Sequence, residues 1–302
     1  GEAKYMGSDS MRCALAASVD GFSPYRLHLS TDEMDGFLLS TRVKMDMEGN
    51  SPDNLLCHLW IDSTYMNLDT THLYLDRLAF SVEKAYGGGH KIELDAPYFN
   101  ANLNGTYNFE TLVQTFSNVM HPYLPTFFSF KAEEEKGQKN DFYFAVNITN
   151  TERLSRVLKL PFVILEKSSI SGYFKSQSKG LSVDANIPFF RVGSMDFRDT
   201  RFAVHNQDSL YVSVLHSRVG GSEEKPPLNI DLRAEANNDV VLTKLNYDNA
   251  PNRFKLKGGL VSLISFKKEA DGVMLVKMNF MPSELTVNEL TVNFEPAVIE
   301  LR

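Results

Sequence analysis

The stretch Asp141-Phe142-Tyr143-Phe144-Ala145-Val146-Asn147-Ile148 carries an apolar side chain at every second position. Successive Cβ atoms of a strand point to opposite faces, so Phe142, Phe144, Val146 and Ile148 share one side of an extended chain. The same period of two runs through Lys91–Tyr107, Leu228–Ala236 and Val273–Phe280. Together these segments predict an all-β, mostly antiparallel protein with a one-sided sheet. Such a sheet must cover its apolar face with a second sheet or offer it to something apolar that is not protein. Two architectures follow as expectations. One is an elongated, curled, taco-like β-groove with an apolar concave face; the alternative is a β-sandwich whose facing sheets lie about 10 Å apart.

After Pro161 the pattern predicts strands near 162–166, 168–175, 180–187, 195–205, 209–219, 228–236, 240–247, 253–266, 272–280, 284–294 and 297–301. Turn-forming clusters such as Ser178-Lys179-Gly180 and Asp248-Asn249-Ala250-Pro251 separate them. Before residue 108, apolar runs at Phe37–Val43, Leu55–Ile61 and Leu73–Val82 are punctuated by Gly36, Gly49-Asn50, Pro52-Asp53-Asn54 and the triplet Gly87-Gly88-Gly89. A phosphate-cradling glycine loop opens a helix, whereas this triplet leads into a strand pattern and reads as a hairpin tip.

At Asn108 the period changes. Phe109, Leu112, Val113, Phe116 and Met120 stand at helical spacing, with Asn108 as the expected cap, Glu110 in the first turn, and Pro122 and Pro125 beyond the end. A second, shorter helix is expected over Thr151–Lys159, closed by Pro161, with the charged loop Lys131–Asn140 between the two. The expected organisation is an N-terminal β-unit over 1–107, a helical insertion over 108–161 and a C-terminal β-unit over 162–302 that continues the same sheet. The Gly-aromatic phrases Asn104-Gly105-Thr106-Tyr107 and Ser171-Gly172-Tyr173-Phe174, each beside a helix, point to two related β-units. Gly1 in place of an initiator Met and the strand-like Leu290–Leu301 lead us to expect an internal piece of a longer protein.

With 31 basic and 38 acidic residues among 302, a net charge of −7 and no basic stripe, the chain lacks the electrostatic footprint of a nucleic-acid binder. No run of about 18 apolar residues occurs, so no membrane-spanning helix is expected. Cys13 and Cys57 form no CxxC, and they are read as two unpaired, partly buried thiols. The histidines His28, His58, His72, His90, His121, His205 and His216 show neither i,i+4 helical spacing nor clustering with cysteine, so no metal site or cofactor is expected. Asp62, Asp95, Asp184 and Asp231 alternate with apolar residues and belong on the outer face. No GxSxG, HExxH or P-loop pattern is present, and no catalytic residue is expected. The sequons at Asn104 and Asn147 are read as incidental.

Several phrases carry a resemblance. Leu158-Lys159-Leu160-Pro161-Phe162-Val163-Ile164-Leu165-Glu166 with Ile170-Ser171-Gly172-Tyr173-Phe174 resembles a segment of the TamB/AsmA-like (translocation and assembly module) proteins of Bacteroidetes-type bacteria. Leu228–Ala236, Met281–Asn288, Gly21-Phe22-Ser23-Pro24 and Gly105-Thr106-Tyr107 are similar to other strands of that family. The resemblance implies a long sheet curled into an apolar groove in the periplasm, in a full-length protein anchored in the inner membrane. It further implies phospholipid transport and outer-membrane biogenesis. Phospholipid or another amphiphile is the implied partner, with an outer-membrane assembly protein engaged through a C-terminal region outside this segment. The expectation is thus a non-enzymatic groove that shields acyl chains. Its wall residues are expected to be Phe142, Phe144, Val146, Ile148, Leu181, Val183, Ala185, Ile187, Leu228, Ile230, Leu232, Met278 and Phe280. A scaffold or chaperone-like module for outer-membrane protein assembly, acting through exposed strand edges, is the alternative.

Overall fold

The computed structural model describes residues 2–5, 11–30, 35–68, 70–85, 88–131, 139–207, 210–220, 227–249 and 255–302. It divides into two compact units, one of residues 1–109 and 142–169, the other of residues 110–141 and 170–302. The expected insertion over 108–161 is therefore shared out: nearly all of the first helix belongs with the C-terminal strands, and the second helix with the N-terminal ones.

The elements of unit 1 are β1 (Glu2–Tyr5), β2 (Met11–Phe22), β3 (Leu38–Glu48), β4 (Leu56–Leu68), β5 (Thr71–Lys84), β6 (His90–Ala96) and β7 (Phe99–Thr106). Helix α1 (Phe109–Met120) starts at its boundary, and β8 (Asp141–Ile148), α2 (Glu152–Val157) and β9 (Phe162–Ile164) complete it. Strands β1 to β7 pair antiparallel in chain order, each with the next. Unit 2 continues with β10 (Ser168–Lys175), β11 (Gly180–Val192), β12 (Met195–Gln207), β13 (Leu210–Val219), β14 (Leu228–Asn237), β15 (Val240–Asp248) and β16 (Leu256–Lys268). It ends with β17 (Met274–Phe280), β18 (Ser283–Val287), β19 (Leu290–Phe294) and β20 (Ala297–Leu301). Strands β11 to β16 form a second antiparallel run. Beyond it, β16 pairs with both β17 and β18, β17 with β20, and β18 with β19.

The strands thus belong to a curled, non-closed, mostly antiparallel sheet, the first of the two expected architectures, and among the described residues the ladders supply no second facing layer of a sandwich. The segment expected as one strand over 284–294 is instead the hairpin β18–β19. Asn288 takes the left-handed conformation (φ 56°) in the two-residue connection between the paired Val287 and Leu290, a geometry that asparagine tolerates. The turn between β14 and β15 works likewise, with Asn238 and Asp239 both at positive φ. Part of the charged loop, residues 132–138, and of the turn at 250–254 lie outside the described residues.

One bend recurs. Ser63 in β4 and Asp199 in β12 both have φ near 50°, and beside each the register to one neighbouring strand shifts by a residue. Such a bulge bends the strand and resets which side chains face inward. Along β4 the apolar residues Cys57, Leu59 and Ile61 stand at odd positions before the bend, and the buried Thr64, Met66 and Leu68 at even positions after it. In both cases the next residue is a buried threonine whose hydroxyl meets one on the facing strand: Thr64 with Thr41, and Thr200 with Ser217, each at 2.7 Å.

A helix closes one end of each sheet. In unit 1, Val157 of α2 is fully buried in a cluster with Phe37, Met66, Leu68 and Leu73, flanked by Leu39, Leu75, Tyr98 and Leu154. In unit 2, α1 and the turns after it sit on the tip of the β14–β15 hairpin. Thr126 donates to the Asp239 carboxylate from its backbone N–H (2.9 Å) and its hydroxyl (2.7 Å), and Phe127 meets Phe266 edge-on. Buried Asn140 donates to the hydroxyls of Thr111 and Thr115, tying α1 to the start of β8's segment. The first free N–H of α1 is satisfied by Asp53, whose carboxylate accepts from Phe109 N–H at 2.6 Å and from the Asn108 amide at 3.1 Å. The charge favoured at this helix start thus comes from a turn 56 residues away in sequence.

Candidate functional site: the apolar sheet faces

Antiparallel register converts alternation along one strand into rows across many. In unit 2, Ala185 faces Phe202, which faces Leu215, then Leu232, Leu245 and Leu260, one residue from each of six consecutive strands. A neighbouring row on the same side runs Ala236, Val241, Ile264, Met278, Ile299. Between them lie Val183 with Val204, and the small or polar set Ser213, Ala234, Thr243 and Ser262 that leads to Phe280 and Ala297. The hydroxyls of Thr243 and Ser262 are hydrogen-bonded to one another at 2.5 Å.

The residues expected from sequence sort by unit. Leu181, Val183, Ala185 and Ile187 on β11, Leu228, Ile230 and Leu232 on β14, and Met278 and Phe280 on β17 share this one face of unit 2. Leu181 is buried at its helix-closed end, where its N–H donates to the Asn206 side chain; the others are half-buried. Phe142, Phe144, Val146 and Ile148 lie on β8 in unit 1, half-buried along one side of that strand, and so take no part in the unit 2 rows.

Alternation along single strands did not reveal the intervening members Phe202, Leu215, Leu245 and Leu260. It also missed an equivalent face in unit 1, where Leu15, Met45, Leu59, Phe80, Leu94 and Ala101 form a six-strand row beside Cys13, Met47, Cys57, Val82, Ile92 and Leu103. The legible signal was the register: turn positions, once fixed, align the apolar sets of consecutive strands. Cys13 and Cys57 are free and stand on β2 and β4 with Met47 of β3 between them, two strand spacings of about 4.8 Å each, beyond the reach of a disulfide.

The reverse faces are charged. In unit 2 they carry Asp184, Arg201, His216, Asp231, Arg233 and Lys244, with His216 Nδ1 2.6 Å from Asp231 and Arg218 2.7 Å from Asp199. In unit 1, Arg77 meets Asp62 at 2.9 Å and Lys44 lies over the Trp60 ring. Displaced pKa values have local causes. The hydrogen bond from Arg191 holds the Asp196 carboxyl below its ordinary value at the β11–β12 turn. Burial raises the Cys57 thiol and, with the Asp53 charge, the Tyr107 phenol. No Asp, Glu, His, Lys or Arg stands in the rows, and among the described residues no three His, Cys, Asp or Glu gather as a metal site would require.

These faces are only part-covered. Along the row from Ala185 to Leu260 every residue is half-buried or exposed and none is buried. What such a surface can do chemically is exclude water from an apolar chain laid along it. No family model, curated protein or solved structure matches this chain.

Proposed function

We propose that this protein is a non-enzymatic, TamB/AsmA-like β-groove segment that shields lipid acyl chains on the apolar faces of its sheets. The observation that carries the reading is the six-strand row from Ala185 to Leu260, apolar throughout and half-open. Five spacings of about 4.8 Å make it roughly 24 Å long, comparable with a fatty acyl chain. Each methylene kept from water contributes about 0.8 kcal/mol, so a chain needs a continuous apolar lane and no strong specific contact. A periplasmic setting between inner and outer membrane, with phospholipid as cargo, fits a surface of this kind and the family resemblance.

The test is a charge in the lane. Replacing Val183 by Asp sets a carboxylate between Leu181 and Ala185 on the half-covered face, where it stays hydrated enough for the fold to form but interrupts an acyl chain. Phospholipid recovered with the purified protein, quantified by mass spectrometry of extracts, should fall several-fold relative to the parent. Equal loading of the two proteins would refute the proposal.

One observation favours the scaffold reading as a second possibility. Strands β19 and β20 expose Leu290, Phe294, Val298, Ile299 and Leu301, and apolar edges of this sort accept an added strand. A strand peptide of an outer-membrane protein that binds the Val183→Asp variant as well as the parent would support it over lipid shielding.

A further inference from the structure

The reverse face of unit 1 is not evenly filled. Register places Trp60, Ala79, Asp95 and Asn100 side by side across β4 to β7, and His58, Ser81, Glu93 and Asn102 in the row beside them. Residues directly opposite one another in an antiparallel ladder point to the same side. Along β4 these positions alternate with Cys57 and Leu59 of the apolar face, so both rows look away from it. Strand β5 contributes only the small side chains of Ala79 and Ser81 between taller neighbours on β4 and β6. A trough of about 460 Å³ lies there, wholly within unit 1, with β5 as its floor. Three strand spacings make it roughly 14 Å long from β4 to β7.

Contacts between side chains fix both walls. On one, the His58 and Trp60 rings lie nearly parallel, 12° apart with centroids 5.6 Å from each other, and Lys44 of β3 holds its Nζ 5.6 Å from the indole centroid. On the other, the Asn100 amide donates to the Asp95 carboxylate at 2.9 Å, and Lys91 Nζ lies 2.8 Å from Glu93. Glu83, at the margin, stands 3.9 Å from His58 Nε2. Each carboxylate of the trough therefore has a donor or a cation beside it. The Trp60 indole N–H, the Ser81 hydroxyl and the Asn102 amide, by contrast, make no hydrogen bond to protein among the described residues. Their donors and acceptors stay open to whatever enters the trough. An alkyl chain would leave these groups without partners, and a phosphate would meet three carboxylates. The fitting ligand is uncharged, apolar on its faces and rich in hydroxyls at its edges, which is the make-up of a sugar ring.

We propose that this trough binds a neutral sugar ring of an oligosaccharide. The volume falls within the range of ligand cavities, roughly 300–1,000 Å³. The site uses the polar side of unit 1 and is independent of acyl shielding on the apolar rows.

Trp60 is the single tryptophan of the chain, so indole emission of the 302-residue protein reports on this trough directly. Cellotriose, maltotriose and triacetylchitotriose serve as neutral probes, with spermidine as a cation and trigalacturonate as an anion. At least one neutral trisaccharide should change the emission saturably, bind once per chain by calorimetry, and bind more tightly than either charged probe. Asn102→Ala, altered at an exposed position, should weaken that binding roughly tenfold through the loss of an amide partner. Ala79→Leu, which fills the floor, should abolish it while leaving the indole in place to report. No saturable response to any of the neutral probes, tighter binding of spermidine or trigalacturonate, or affinity unchanged in Asn102→Ala would overturn the proposal, whether or not the leucine variant folds.

Discussion

At Thr200 and Ser217 two hydroxyls, each on a residue at most 6 % exposed, hydrogen-bond to one another across β12 and β13 beside the bend at Asp199. Neither reaches bulk water, so removing one strands the other. Thr200→Val is expected to destabilise unit 2 by about 1–3 kcal/mol, the cost of a buried polar group left unpaired. Adding Ser217→Ala should recover most of that loss, because the orphan disappears with it. Urea unfolding of the parent, the single variants and the double variant measures the coupling; additive losses would show that the pair does not act as a unit. This device was not legible in the sequence. Ser63-Thr64 and Asp199-Thr200 look like ordinary outward-polar strand positions, and the left-handed turn of the first residue of each pair goes with a one-residue shift in register against a single neighbouring strand. The alternation rule reads parity along a strand and has no means to register an added residue.

Helix α2 is only six residues long, too short to persist by its own hydrogen bonds, and it exists because Val157 and Leu154 bury against the end of unit 1's sheet. Leu73, 2 % exposed, is the strand-side partner in that cluster. Leu73→Ala should cost roughly 2–5 kcal/mol through lost transfer energy and a residual cavity. Leu232→Ala, on the half-open face, should cost clearly less, and denaturant unfolding of the two variants compares them directly. Equal losses would mean that the face is as tightly packed as the helix-closed end. Element by element, the sequence was informative where local rules govern. The helical spacing of Phe109, Leu112, Val113, Phe116 and Met120 marks α1, and alternation marks the strands from β10 onward, save that it merges β18 and β19 into one and ends β11 five residues early. It was uninformative where distant residues decide. The carboxylate at the start of α1 is Asp53 from the β3–β4 turn, and the assignment of each helix to a different sheet depends on contacts of high sequence separation.

Within each unit the sheet repeats a single design: one apolar face, a charged reverse and a helix at one end. The ion pairs of the charged faces, mostly exposed, contribute about 0–1 kcal/mol each. The apolar faces are larger than the helices can cover, and this surplus is the physical basis of the proposed function. Part of it was legible: nine of the thirteen expected wall residues, from Leu181 to Phe280, do lie on one face of unit 2. The rows that join them, and the matching face of unit 1, appeared only once strand registers were known. The most direct measurement of the central claim uses the parity of a single strand. A photoreactive benzoylphenylalanine placed at Leu232, on the apolar face, or at Arg233, on the charged one, is irradiated in protein purified from lipid-containing cells, and adducts are read by mass spectrometry. Phospholipid adducts at 232 and none at 233 are the predicted result; no adduct at 232, or equal yields at both positions, would contradict acyl-chain shielding by this face.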